Sequence, residues 1–257
     1  MKKIFGHSRT MFDKTTSFCP GCTHGVIHRI TAEVIDELGI RENTVGVGPV
    51  GCAVFIYELF DCDMFSASHG RASAVASGAK RGRPDKVVFS YQGDGDMASI
   101  GIGESIYAAN RGEKITAIFV NNAIYGMTGG QMAPTTLVGQ RATTCPTGRD
   151  PNAAGYPIRM AELLASLRTP GFIARVAVHT PMHTVEAKRI IKRAFQNQLD
   201  NRCYSFVEVL STCPTNWGLS PKEADKWLGR DMVDYYPLGV FKTPDDEKKD
   251  SAKGGVP

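Results

Sequence analysis

Gly93-Asp94-Gly95-Asp96 follows one β-rich run, Lys86 to Tyr91 (KVVFSY). Asn121-Asn122-Ala123-Ile124-Tyr125-Gly126-Met127-Thr128-Gly129-Gly130-Gln131 follows another, Ile115 to Val120, with a helix-length segment starting near Met97 between them. β-Branched and aromatic runs of this kind read as buried parallel strands. The order strand, turn, helix, strand, turn therefore brings both turns to the carboxyl edge of one sheet, where open α/β folds bind ligands. Gly93 and Gly95 let the backbone approach a ligand closely, and the helix start near Met97 offers free N–H groups to the same point. A diphosphate would suit that point, except that Asp94 and Asp96 bring negative charge to it. Mg²⁺ resolves the conflict, because it accepts a few protein oxygens alongside phosphate and water. Asn122, through its side-chain oxygen, and Ile124, through its carbonyl, are the neutral ligands expected beside Asp94.

Working outward, 257 residues with 42% hydrophobic content suffice for one large α/β domain, or at most two. Residues 1–241 read as that domain and 242–257, charged and poor in apolar residues, as a disordered tail. The net charge of +4 is small for the length, and neither a polybasic run nor aromatic-basic interleaving argues for nucleic acid. No apolar run has the length of a membrane span, and the N-terminus lacks the apolar core of a signal peptide, so a cytoplasmic protein is expected. In that compartment the seven cysteines point to metal or cluster ligation rather than to disulfides.

Residues 1–17 read as an arm lying on the domain or on a partner, or equally as a loosely ordered terminus. Cys19-Pro20-Gly21-Cys22 then opens a helix with apolar positions Val26, Ile30, Val34, Ile35 and Leu38, stopped by Gly39. Redox chemistry of the thioredoxin kind wants a smaller fold, and zinc wants a second close pair, which the chain lacks. An iron-sulfur cluster needs four thiolates that can be scattered around one such pair. Cys52 ends a glycine-rich turn, and Cys213, followed by Pro214, directly succeeds the strand Tyr204 to Leu210; both suit ligation. Cys203 reads as a small core residue, and Cys62 and Cys145 as weaker candidates. His69, in His69-Gly70-Arg71 between a short strand (63–68) and a small-residue helix (72–80), is the candidate catalytic residue, against a purely structural role in its own turn. A surface loop is expected at 81–84. Residues 132–157 show no periodicity and read as a cofactor cover or subunit contact, against a mere surface excursion. Helix 158–167, strand 172–178, helix 183–199 entered through Thr180 and Pro181, strand 204–210 and a short helix at 221–227 complete an α/β class fold, a mostly parallel sheet with helices on both faces.

Taken together, Cys19 to Cys22, the turn Gly46 to Cys52, His69 to Arg71, Gly93 to Asp96, Asn121 to Gln131 and Cys213-Pro214 resemble the thiamine diphosphate-binding β subunit of the 2-oxoacid:ferredoxin oxidoreductases. The resemblance covers nearly the whole chain. It implies a thiamine diphosphate-binding fold, with Asp94, Asn122 and the Ile124 carbonyl on Mg²⁺. Gly93, Gly95, Asp96, Tyr125, Gly126 and Met127 would line the diphosphate and thiazolium, and His24, Cys52 and His69 would lie beside the cofactor. Cys19, Cys22, Cys52 and Cys213 would bind one 4Fe-4S cluster. The activity implied is CoA-dependent oxidative decarboxylation of a 2-oxoacid, or its reverse, with electrons passing singly to the cluster and on to an external ferredoxin. An α subunit would supply the activating glutamate, and ferredoxin-like and γ-type subunits would carry further clusters. Met127 departs from the asparagine of pyruvate-class relatives, so no pyruvate preference transfers. Two rivals stand beside this reading: a non-redox thiamine diphosphate-dependent decarboxylase or synthase subunit with structural or zinc-bound cysteines, and a non-catalytic assembly subunit.

Overall fold

The computed structural model describes residues 6–169 and 171–245. The runs read as strands pair as expected. β1 (Thr44–Pro49), β2 (Asp63–Ala67), β3 (Val87–Gly93), β4 (Thr116–Asn121), β5 (Gly171–Ala177), β6 (Tyr204–Leu210) and β7 (Gly239–Lys242) form one sheet in the order β2-β1-β3-β4-β6-β5-β7. Each pairing is parallel except that of β5 with β7. Because β4, β5 and β6 are buried on both faces, they carry apolar side chains at nearly every position.

Alternation sorts those side chains between two cores. Phe89, Tyr91, Ile118 and Val120 pack under α1 (His24–Leu38) and α5 (Pro181–Leu199), with Ile27, Ile30, Ile190 and Phe195. Val88, Ala117 and Phe119 face α2 (Ala72–Gly82), α3 (Ile102–Asn110) and α4 (Met160–Ala165), through Ala76, Ala108 and Met160. Register aligns the strand ends: Gly93 pairs with Val120, and Asn121 with Leu210. The turns after β3, β4 and β6 therefore leave the sheet at one level. The order reverses between β1 and β3, the kind of switch point at which α/β sheets hold ligands.

Several boundaries differ from the expectation, each for a local reason. The helix expected near Met97 is a π-helical turn, Asp96–Ile100, separated from α3 by Gly101. A Cβ on Gly101 would lie 2.5 Å from the Gly70 carbonyl oxygen, so the break lets the His69-Gly70 turn seat directly on this backbone. Arg81 and Gly82, expected in a loop, complete α2. Lys242, assigned by sequence to the tail, ends β7, and its ammonium donates to the carbonyls of Leu167 and Thr169. The rest of the expected tail, 246–257, and residues 1–5 of the arm lie outside the described residues. From Gly6 onward the arm lies on the domain: Ser8 and Thr10 donate to Asp36 at 2.5 and 2.6 Å, and Phe12 N–H to the Leu59 carbonyl.

The long segment 132–157 is built around one cation. Arg149 is 5% exposed and donates to six backbone carbonyls, those of Ala133, Pro134, Thr136, Ala154, Gly155 and Tyr156. Apart from the four-residue helix Pro151–Ala154, a segment without sequence periodicity is thus ordered by converging carbonyls. Burial lowers the Arg149 pKa, and the charge is held by these dipoles.

Candidate functional site

A cavity opens beyond the carboxyl ends of β1, β3 and β4. His24, Cys52, His69, Gly93, Asp94, Gly95, Asp96, Asn122, Ile124, Tyr125, Gly126 and Met127 line it, joined by Val50, Gly51, Ala53 and Thr128. Asp94 stands at its floor, 3% exposed. Asp94 Oδ1 accepts from Gly95 N–H at 2.8 Å; Oδ2 accepts from Ile124 N–H at 3.1 Å and from the Thr135 hydroxyl at 2.7 Å. Burial pushes the Asp94 carboxyl up to about 6 even though all three donors favour the charged form. One edge of the Asn122 amide lies 2.8 Å from the Ile124 carbonyl oxygen and 3.3 Å from Asp94 Oδ2. With its nitrogen on that edge, Asn122 donates to both. With its oxygen there, three oxygens, one anionic, face a single point, which is the donor set of a hard divalent cation.

Asp96 occupies a different place from Asp94. Its Oδ1 lies 2.6 Å from His69 Nδ1 and accepts Gly70 N–H at 2.5 Å, while Oδ2 accepts the Gln92 amide at 2.7 Å. Both oxygens are thus engaged within the protein, and the group orients His69. His24 stacks on Phe18 at 5.0 Å between centroids and meets the Tyr91 hydroxyl at 3.1 Å through Nδ1. Burial, aided by nearby His28, lowers its pKa to about 4, so the ring is neutral at physiological pH. The Tyr125 ring covers Gly95, where an added Cβ would lie 2.1 Å from the ring.

Cys19, Cys22, Cys52 and Cys213 line a second cavity of about 230 Å³, with Phe18, Phe55 and Asn216. The loop Cys19 to Cys22 closes on itself through Cys22 N–H to the Cys19 carbonyl. It is fastened to the chain before Cys213: the Thr23 hydroxyl meets Ser211 at 2.8 Å and accepts Thr212 N–H at 2.8 Å, while the Thr212 hydroxyl donates to the Gly21 carbonyl. Burial raises the Cys22 and Cys52 thiols to about 12, and the neighbouring sulfurs add to both rises. Crowded thiols ionise only against positive charge, which iron would provide. Among the described residues no three His, Cys, Asp or Glu side chains converge on a single-ion point. Four cysteines around one volume are a donor set that a cluster could use, each thiolate taking its own iron. Cys62 packs beside Met64, Cys145 bonds the Gln140 carbonyl, and Cys203 is buried in the core; none lines either cavity.

The two cavities share Gly51, Cys52, Asn122, Gly126 and Met127. A Cβ on Gly126 would stand 3.0 Å from Cys52 Sγ and 3.6 Å from Cys213 Sγ, so glycine there lets the cofactor loop reach both sulfurs.

Sequence reading did not single out the residues that hold this machinery in place. Thr135 comes from the aperiodic segment, and Gln92 sits within β3. Asn121, the first residue of the Asn-Asn pair, donates to Glu208 Oε1 at 2.8 Å while its own oxygen accepts Ala123 N–H, where the backbone turns at φ 56°. Glu208 in turn bonds Arg175 at 2.8 Å; both are fully buried, and Arg175 also meets Glu162 and the Pro237 carbonyl. Burial raises the Glu208 pKa against the pull of Arg175. The only advance signal was an ionic residue inside each of two apolar strands, at 175 and 208.

A parallel sheet with its ligand edge built from Gly93 to Asp96 and Asn121 to Met127 defines a thiamine pyrophosphate-binding domain, and the family described as "Thiamine pyrophosphate enzyme, C-terminal TPP binding domain" matches residues 50–209. The chain belongs to that family, among the subunits of 2-oxoacid oxidoreductases. It is 54% identical over 227 residues to ketoisovalerate oxidoreductase subunit VorA of Methanothermobacter thermautotrophicus, a match covering 88% of this chain and 48% of the relative. Against 2-oxoglutarate synthase subunit KorB of Methanocaldococcus jannaschii it is 37% identical over 212 residues, covering 81% and 74%. The chain spans about half the length of the VorA relatives it matches. The solved 2-oxoglutarate:ferredoxin oxidoreductase from Magnetococcus marinus, with 2-oxoglutarate, coenzyme A and succinyl-CoA bound, has the same fold. Its TM-score is 0.75, with 98% of this chain and 91% of that one covered at 22% identity. No helix among the described residues is long and apolar enough to cross a membrane.

Proposed function

We propose that this chain is the thiamine diphosphate-binding subunit of a CoA-dependent 2-oxoacid:ferredoxin oxidoreductase and holds one 4Fe-4S cluster beside its organic cofactor. The observation that carries the reading is the partition of shared residues, Cys52 and Gly126 above all, between the Asp94 cavity and the four-cysteine cavity. Asp94, Asn122 and the Ile124 carbonyl would hold Mg²⁺ and, through it, the diphosphate. Cys19, Cys22, Cys52 and Cys213 would hold the cluster. When bound, thiamine diphosphate supplies the carbon nucleophile for the 2-oxo group and a store for the electrons released with CO₂. Asp96 lies 2.6 Å from His69 Nδ1 and orients the ring, which leaves Nε2 as the atom that would exchange a proton with substrate. A non-redox enzyme would have no use for thiolates so placed.

The substrate class proposed is an apolar, branched 2-oxoacid. Val50, Ala53 and Met127 line the cavity, and among the described residues neither Lys nor Arg does, so a second carboxylate would meet no Lys or Arg there. The ketoisovalerate name of the 54% identical relative supports the same choice. Partner subunits would complete the site with an activating glutamate and carry electrons onward to ferredoxin.

The test is co-purification with partner subunits, followed by viologen reduction with CoA and a panel of 2-oxoacids. Branched-chain acids should give the fastest reduction. Asp94→Ala should lose bound thiamine diphosphate, and Cys213→Ala should lose iron. Equal iron in Cys213→Ala and the parent would remove the cluster from the scheme.

A further inference from the structure

Asn216 uses one side-chain nitrogen twice. Its Nδ2 lies 3.3 Å from Cys213 Sγ and 2.8 Å from the Gly126 carbonyl oxygen, so both amide protons are spent, one in each cavity wall. Gly130 leaves room for this side chain, since an added Cβ there would stand within 3.3 Å of its Cβ, Cγ and Oδ1. Cys213 sits at the entrance of the four-residue turn Pro214–Trp217, with Trp217 N–H donating to its carbonyl, so Asn216 is carried round to face the sulfur three residues earlier.

An N–H donor on a cluster thiolate withdraws charge from the sulfur and favours the reduced, more negative state. We propose that Asn216 is a positioning residue that raises the reduction potential of the cluster and couples it to the cofactor loop, through its bonds to Cys213 Sγ and the Gly126 carbonyl. The inference rests on the proposed function, since it requires a cluster at Cys213. Its chemical consequence is directional: the acceptor next to the organic cofactor is made easier to reduce.

The experiment is an EPR-monitored potentiometric titration of the full chain, reconstituted with iron and sulfide, in parent, Asn216→Asp and Asn216→Leu forms, with iron counted in each. Asp keeps the shape and removes the donor; Leu removes all polarity. Both variants should keep their iron and shift the reduced-to-oxidised ratio at the parent midpoint on the order of tenfold toward oxidised, about 59 mV for a one-electron step. A parent-like midpoint in either variant overturns the inference, as does loss of iron from both, which would make Asn216 a holding residue. A parent chain that takes up no cluster instead overturns the proposed function, so the two failures are distinguishable.

Discussion

Asp94 is a carboxyl placed where its own charge is a burden until a cation arrives. Its pKa in the fold, about 6, lies above the ordinary 3.8 because burial outweighs three hydrogen bonds. Below pH 3.8 it is protonated in both folded and unfolded chains. Between there and about 6 the folded chain keeps a proton that the unfolded chain has lost, so the stability owed to this group falls as pH rises, by about 3 kcal/mol in all. Asp94→Asn, which copies the protonated shape, should therefore outlast the parent in Mg²⁺-free urea unfolding at pH 7.5 by about that amount. The gap should close toward pH 4 and reverse when Mg²⁺ and thiamine diphosphate are added. Unchanged stability across that range would show that Asp94 is less desolvated than its surroundings require. Asp94 could be singled out in the sequence because its Gly-Asp-Gly turn, common on its own, is followed in order by a helix, a strand and the paired asparagines. Thr135, which donates to it from 41 positions away, could not be, because a threonine in an aperiodic segment carries no mark of its partner.

Among the elements, the segment 132–157 shows how far pattern reading extends. Its lack of periodicity marked it as a region that binds something, and what orders it is the Arg149 guanidinium. Replacing Arg149 with Ala leaves six carbonyls without that donor; the bonds to Ala133 and Thr136 are buried and the other four part-buried, and each unmet buried group costs about 1–3 kcal/mol unless water enters. The expected result is local opening rather than global unfolding: amide exchange across 133–156 should accelerate by two or more orders of magnitude while β3 and β4 keep their protection. Thiamine diphosphate binding should weaken with it, since Thr135 rides on this segment. Uniform exchange in both proteins would assign the ordering to other contacts. The strands behaved differently, since alternation and length sufficed to read them. β7 escaped because it is only four residues long, opens on a glycine and pairs antiparallel at the sheet edge.

At the scale of the whole molecule, the sheet register carries the design. Residues 52, 94, 122 and 213 come from the ends of four strands, and parallel pairing without slippage brings them to one level. The fold class could be read before the coordinates because helix and strand signals alternate strictly along the chain. What could not be read was the bracing behind the edge, Arg175 to Glu208 to Asn121, because buried polar bonds depend on which strands become neighbours, and β4 meets β6 rather than β5. Gly126 tests the arrangement as a unit. Gly126→Ala would put a methyl 3.0 Å from Cys52 Sγ, an overpacking worth about 1–3 kcal/mol. Iron content and thiamine diphosphate affinity should fall together in that variant, measured by iron assay and calorimetry; a fall in only one would mean the two cavities are independent.

A wall one side chain thick also restricts how such a protein can change. Met127 and Cys52 each line both cavities, so on the proposed reading widening the chamber for a bulkier acid would trim the inorganic one by the same stroke. Substrate range and electron capture would then be inherited as a pair, and a lineage that altered its diet would do so mainly through residues on the far side of the chamber or on a neighbouring chain.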